Sequence, residues 1–173
     1  TQTIIVHIAP HAEEFGTSAM NAAGLISIIG GTSMIGRLVM GYACDRIGTK
    51  RALVICFLVL IATLSWLQFS KELWMLYLFG AVYGFSHGGF FAVYSPMVAW
   101  LFGTRSQGAI FGSAALSATI GGALGPLLVG YTFDLTNSYQ LGFLILVVMS
   151  LAGLVLALLL KPISTPEHSA ELR

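Results

Sequence analysis

Long apolar runs separated by short polar segments make up most of this sequence. A helix needs roughly 20 predominantly apolar residues to cross the hydrocarbon core of a bilayer, and five of the runs are close to that length or longer. Because backbone groups in lipid must be hydrogen-bonded within the spanning segment itself, an all-α polytopic membrane protein is predicted. The predicted helices cover about residues 1–12, 17–43, 52–69, 73–102, 106–133 and 139–160.

The composition agrees with a chain whose main partner is the lipid bilayer. Hydrophobic residues make up 57% of the sequence and charged residues 9%, whereas a soluble domain carries about a quarter charged residues. The formal net charge of +1 gives no reason to expect nucleic acid as a partner. Cys44 and Cys56 are typical of small apolar filling rather than of a disulfide or a metal site, and no cofactor is expected.

The first apolar segment, residues 1–12, is too short to span, and we expect it to be the second half of a truncated helix. His7 and His11 share one face of this helix, and Glu13 and Glu14 follow. Histidines at that spacing can hold a metal ion, but no third ligand is evident. Polar residues at a membrane-interface helix end are therefore the favoured interpretation.

Charge asymmetry orients the predicted helices. Cations gather after the second, fourth and sixth helices, and acids lie at the opposite ends of the bundle. Because loops rich in lysine and arginine stay on the cytoplasmic side, we expect a multi-pass protein of the cell membrane. Its C-terminus and polar tail, residues 163–173, are then cytoplasmic. The charges concerned are Arg46, Lys50, Arg51, Arg105 and Lys161 on one side and Glu13, Glu14 and Asp134 on the other.

One arginine lies inside an apolar run. Arg37 precedes the apolar boundary at Ala43 by six residues, which is about 9 Å at 1.5 Å per residue. Charged residues at such a depth usually face a polar cavity or a partner. Helical spacing places Gly30, Ser33 and Gly41 on the same face as Arg37. We therefore expect this face to line a cavity rather than to face lipid.

Small residues recur at every fourth position of the fourth run, at Gly80, Gly84, Gly88 and Ala92. Such a stripe lets a neighbouring helix approach closely. Residues 84–88 also fit the G-x-S-x-G pattern of serine hydrolases, but a nucleophile elbow needs a strand, a sharp turn and a helix. A continuous apolar helix is predicted here, so no enzymatic activity is expected.

Two motifs carry a resemblance to a known family. GYACDRIGTKR, residues 41–51, resembles the G-x-x-x-D-R-x-G-x-[RK]-[RK] loop of the major facilitator superfamily. GGALGPLLVG, residues 121–130, resembles the glycine–proline motif of its fifth and eleventh helices. The resemblance implies that residues 1–162 are helices 7–12 of that fold, and that a missing N-terminal half is their partner. The loop positions that match are Gly41, Asp45, Arg46, Gly48, Lys50 and Arg51.

The loop motif admits two interpretations. Asp45 can cap the start of the next helix, or it can pair with a cation across the half and latch one conformation, as the resemblance implies. The cations Arg46, Lys50 and Arg51 can equally serve as topology anchors alone.

Further details are similar to the monocarboxylate transporter and oxalate–formate antiporter branch of this superfamily. Arg37 stands four residues ahead of Gly41, and residues 101–134 are close to the equivalent stretch of that branch. The resemblance implies that Arg37 binds a substrate carboxylate and that His87 occupies a position that shapes selectivity. Ser33 replaces the aspartate of the animal transporters, so coupling through an Asp–Arg pair is not implied.

These features predict secondary active transport of a small organic anion, a monocarboxylate or a dicarboxylate, by alternating access. A proton or an exchanged anion is the expected co-substrate. The paired donors of a guanidinium match the two oxygens of a carboxylate. For His87 a structural hydrogen bond is an equal alternative, and for Phe91 plain packing is favoured. Transport of another solute and a non-transporting scaffold are the alternative functions. The predicted substrate residues are Arg37, His87, Phe91, Tyr94 and Ser33.

Overall fold

Six α-helices make up the fold, which is seen in a computed structural model that describes residues 1–14, 16–70, 72–104 and 107–162. The all-α prediction is confirmed, and five helices are long and apolar enough to cross a membrane. Arg105 and the predicted tail, residues 163–173, lie outside the described residues. The helices are α1 (Gln2–Glu14), α2 (Ala19–Ile47), α3 (Thr49–Leu67), α4 (Leu73–Phe102), α5 (Gln107–Thr136) and α6 (Tyr139–Leu159).

The loop predicted after the second helix is largely helical. The prediction placed the end of this helix at residue 43, but α2 continues to Ile47 and α3 begins at Thr49. Gly48 alone separates them, with a backbone φ of 88° that glycine adopts without a steric cost. Asp45 therefore lies in the last turn of α2, and no side chain caps α3 at Gly48. The capping role predicted for Asp45 is wrong. The remaining helix ends fall within three residues of the predicted ones.

The most extensive helix contact among the described residues joins α2 to α4, along the small-residue stripe predicted from the sequence. A Cβ added to Gly88 would overlap the backbone carbonyl of Ser33, and one added to Gly84 would also meet the backbone of α2. On the α2 side, a Cβ on Gly36 would overlap the backbone carbonyl of Phe85. Helices in lipid associate mainly through van der Waals packing, which such a close approach maximises. The stripe prediction is confirmed, with α2 as the neighbour.

The buried side chains are shared unevenly among the helices. A core cluster joins all six helices through residues such as Ile8, Leu25, Leu64 and Phe143. The share of α5 is small, because Val129 is the one residue of this helix that the described part of the chain buries. One long side of α5 is thus open, and it borders the candidate site.

Candidate substrate site

Arg37 lies on the exposed side of α2 and faces an aromatic ring of α4. Its guanidinium carbon is 5.0 Å from the centroid of the Phe91 ring. Within the ranges that the structure describes, no carboxylate forms an ion pair with Arg37. A cation over an aromatic face is stabilised by about 0.5–2 kcal/mol. The Coulomb attraction between a guanidinium and a carboxylate in a low dielectric is larger. Among the described residues, Arg37 therefore has an aromatic contact but no anionic partner.

His87 is buried beside this pair, with 7% of its surface exposed. Its ring stacks on Tyr83 at 6.0 Å and meets the Phe91 ring edge-on at 5.1 Å. Nδ1 of His87 is buried and has no hydrogen-bond partner among the described residues. The alternative of a structural hydrogen bond at Nδ1 is thus not observed. Tyr83 donates its hydroxyl to the carbonyl of Thr1, which brings the start of α1 to the same place.

A cavity of about 610 Å³ lies between α4 and α5, next to the first residues of α1. Aromatic side chains from α4 form one wall, and Phe91 is shared between this wall and the contact with Arg37. Tyr94 meets Phe111 of α5 at 5.1 Å, and the Tyr94 hydroxyl is buried with no hydrogen-bond partner in the described ranges. The opposite wall belongs to α5, and its small side chains leave room for the cavity. These small residues are Ala115, Ala118, Gly122 and Ala123.

Four of the five predicted substrate residues are therefore neighbours in space, and one is not. Arg37 and His87 both contact Phe91, and Phe91 and Tyr94 line the cavity. Ser33 is 5% exposed and lies in the tight α2–α4 contact, so it is placed away from the cavity lining. The face predicted to line a cavity, with Gly30, Ser33, Arg37 and Gly41, contributes no residue to the lining of this one. The crossing of α2 and α4 covers Ser33 and leaves Arg37 exposed.

The cations of the loop motif have separate contacts. Lys50 donates from Nζ to the carbonyl oxygens of Leu158 at 2.7 Å and Leu160 at 2.8 Å. It therefore closes the C-terminal end of α6, where carbonyls lack helical partners. Arg46 lies over the Tyr42 ring at 5.2 Å instead. The role of Lys50 was not foreseen, because 108 residues separate it from its first acceptor.

The segment that fits G-x-S-x-G is helix rather than a nucleophile elbow. Ser86 is fully buried in the middle of α4, and its hydroxyl donates to the carbonyl of Cys56 at 2.9 Å. This hydrogen bond ties α4 to α3. The two glycines of the pattern, Gly84 and Gly88, are used in the contact with α2.

The paired histidines of α1 also have structural partners. His7 shares a hydrogen bond of 3.0 Å between Nε2 and the carbonyl of Pro126, which ties α1 to α5. His11 lies 3.3 Å from the Glu14 carboxylate. Among the described residues, no group of three or more histidine, cysteine or acidic side chains is placed to hold a metal ion.

An all-helical fold in which five helices are long and apolar enough to cross a membrane is typical of a polytopic membrane protein. Comparison with known families matches residues 1–173 to the Major Facilitator Superfamily. The chain belongs to this superfamily of transporters, and the predicted membership is confirmed.

Curated relatives place the chain near the monocarboxylate transporters, as the sequence resemblance indicated. Monocarboxylate transporter 13 of Rattus norvegicus is 26% identical over 150 residues, which are 86% of this chain and 35% of the relative. Monocarboxylate transporter 12 of the same species is 25% identical over 146 residues, 82% of this chain and 30% of the relative. An MFS-type transporter of Aspergillus fumigatus is 27% identical over 130 residues, 72% of this chain and 30% of the relative. The chain thus spans about a third of the length of these relatives.

Proposed function

We propose that this chain is the C-terminal half of a secondary active transporter that carries a small organic anion by alternating access. The observation that carries the proposal is Arg37, whose guanidinium has no carboxylate partner in the described ranges and lies beside an aromatic-lined cavity. Membership of the Major Facilitator Superfamily and relatives named monocarboxylate transporters support it.

Arg37 is the proposed anchor for the carboxylate. A guanidinium that lies over an aromatic ring still presents N–H donors, and two parallel donors match the two oxygens of a carboxylate. Phe91 keeps the guanidinium close to the cavity without neutralising it. An anion that enters from solution would supply the missing charge, and the low dielectric of the site would strengthen the pairing.

Two unpaired polar groups provide the proposed secondary contacts. Nδ1 of His87 and the hydroxyl of Tyr94 are buried without hydrogen-bond partners among the described residues. A buried polar group left unpaired costs about 1–3 kcal/mol, so a ligand that pairs with it recovers that cost. Phe91 and Phe111 would then contact the apolar body of the substrate.

Alternating access requires a second half that rocks against this one around the site. The open side of α5, which buries just Val129 in the described part of the chain, is the proposed contact surface for that half. We propose that residues 1–162 form one such half and that the N-terminal half completes the transporter. A proton or an exchanged anion is the proposed co-substrate.

The complete transporter, reconstituted in liposomes, is expected to take up a radiolabelled monocarboxylate such as lactate, whereas the present chain alone is expected to take up none. Lactamide serves as the matched neutral substrate, because it has the same shape without the charge. Robust uptake by the chain alone would disprove the two-half proposal. Equal uptake of lactate and lactamide by the complete transporter would disprove anion recognition, and no uptake of any solute would favour the scaffold alternative.

The proposed orientation places the α5–α6 connection outside the cell and the end of α6 in the cytoplasm. In a background with Cys44 and Cys56 replaced by alanine, Thr136→Cys is expected to react with a membrane-impermeant maleimide in intact cells. Lys161→Cys is expected to react only after permeabilisation. Both positions are exposed in the structure, so accessibility depends on the side of the membrane. Labelling in the reverse pattern would overturn the orientation.

A further inference from the structure

A second cavity, of about 650 Å³, lies at the end of the bundle where α2, α4 and α6 finish and α3 begins. It is separate from the candidate substrate site. Arg37 precedes Ile47, at the edge of this cavity, by ten residues, which is about 15 Å along α2. The lining combines two cations with an apolar wall. Among the lining residues are Lys50, Arg51, Val54, Ile55, Trp100 and Leu158.

The mouth of this cavity is cationic, and its charge is not neutralised within the described residues. Lys50 uses two of its three ammonium donors on the carbonyls of Leu158 and Leu160. Those carbonyls are neutral, so the positive charge of Lys50 and one donor remain for a ligand. Arg51 is exposed, and neither it nor the nearby Asp45 forms an ion pair among the residues described. An anionic group is therefore the complementary occupant.

The wall of the cavity is aliphatic and is continuous with the membrane-facing surface. Ile55 of α3 and Leu158 of α6 expose 38% and 52% of their surfaces. Val54 and Ile55 follow Arg51 by about one helical turn, so the apolar wall lies deeper in the bilayer than the cation. Trp100 stands at the same end, where tryptophan favours the boundary between headgroups and acyl chains. A soluble anion would leave this apolar wall unused.

We propose that this cavity binds one anionic phospholipid. Its phosphate accepts hydrogen bonds from Arg51 and from the remaining donor of Lys50, and an acyl chain lies against Val54, Ile55 and Leu158. Anionic lipids are concentrated in the cytoplasmic leaflet, which agrees with the orientation proposed for this cationic end. Because Lys50 also holds the end of α6, the bound lipid would join α3 to α6 at the membrane surface.

The test measures lipid retention by the purified 173-residue chain in detergent, by native mass spectrometry. Phosphatidylglycerol and phosphatidylcholine with identical acyl chains are the two probes. The wild-type chain is expected to retain phosphatidylglycerol preferentially. Arg51→Gln is expected to weaken that binding about tenfold, as the loss of one charge-assisted contact implies. Arg46→Gln is the matched control, because it removes the same charge from a guanidinium that lies over Tyr42 and outside the cavity.

Three results would overturn the proposal. One is unchanged phosphatidylglycerol binding in Arg51→Gln, and another is an equal loss in Arg46→Gln, which would indicate a general charge effect. The third is displacement of the lipid by glycerophosphoglycerol at the same concentration, which would show that the acyl chains contribute nothing. Trp100→Ser is a second variant, expected to weaken retention without any change of charge. Equal helix content by circular dichroism establishes that the compared variants are folded.

Discussion

Replacing Arg37 by alanine is expected to weaken carboxylate uptake by the complete transporter severely, and replacing it by lysine is expected to weaken uptake almost as much. Loss of a charge-assisted contact of roughly 1.5–3 kcal/mol corresponds to about 10- to 150-fold weaker binding. Lysine keeps the charge, but a single ammonium cannot reproduce the two parallel donors of the guanidinium. The measurement is the KM for uptake of mono- and dicarboxylates, with surface expression measured for each variant.

The control for this prediction is Arg46, which also lies on α2 and also stacks on an aromatic ring, Tyr42. Arg46→Ala removes a guanidinium that lies at the helix end rather than at the cavity, so the KM for the carboxylate is expected to stay close to that of the wild type, while the place of Arg46 in the loop motif allows the maximal rate to change. If Arg37→Ala reaches the membrane and transports its substrate with unchanged affinity, the anchor role is wrong. If both arginine variants raise the KM equally, the effect is one of overall charge rather than of a specific site.

The second large effect is expected at the contact between α2 and α4. Gly88→Ala is expected to lower the unfolding temperature of the chain in detergent strongly, because the added Cβ overlaps the backbone carbonyl of Ser33. Backbone atoms cannot rotate away as a flexible side chain can, so the two helices must separate. Overpacking typically costs about 1–3 kcal/mol of stability. We expect the cost of Gly88→Ala to lie near the upper end of this range, because two whole helices have to move apart. Gly36→Ala is expected to lower the unfolding temperature in the same way, because its added Cβ would overlap the backbone carbonyl of Phe85.

Gly30 provides the matched control, because it lies on α2 and a Cβ there meets nothing within 4 Å. Gly30→Ala is expected to leave the unfolding temperature unchanged or to raise it, since alanine is favoured over glycine in a helix by up to about 1 kcal/mol. The measurement is thermal unfolding followed by circular dichroism, compared between Gly88→Ala and Gly30→Ala. Equal unfolding temperatures for Gly88→Ala and Gly30→Ala would show that the close approach of the helices contributes little to stability.

The helices themselves could be predicted from the sequence because hydropathy is a local property. Runs of roughly 20 apolar residues have to form helices in a bilayer, and the described helices follow those runs closely. The glycine stripe of α4 was equally visible, because period-four spacing places its members on one face of any helix. The boundary between α2 and α3 could not be predicted in the same way. The motif resembles a polar loop, but in the structure Gly48 alone, with its positive φ, makes the turn.

The candidate site divides in the same way. A charge within an apolar run singled out Arg37, and position on the fourth apolar run singled out His87, Phe91 and Tyr94. Whether each side chain is open or covered depends on how α2 is rotated against α4. Two residues one turn apart illustrate this dependence, because Ser33 is buried under Gly88 while Arg37 is exposed and lies over Phe91.

The sequence by itself therefore determined the class of protein and the number of helices, and it supplied the candidate residues of the proposed anion site. These follow from hydropathy, periodicity and local motifs, which each act within a few turns of chain. The tertiary structure alone decided which partners those residues have, including the pairing of Arg37 with Phe91 and the capping of α6 by Lys50 from 108 residues away. The physical reason is that helix rotation and crossing are set by close packing between distant segments, at glycines where backbones touch.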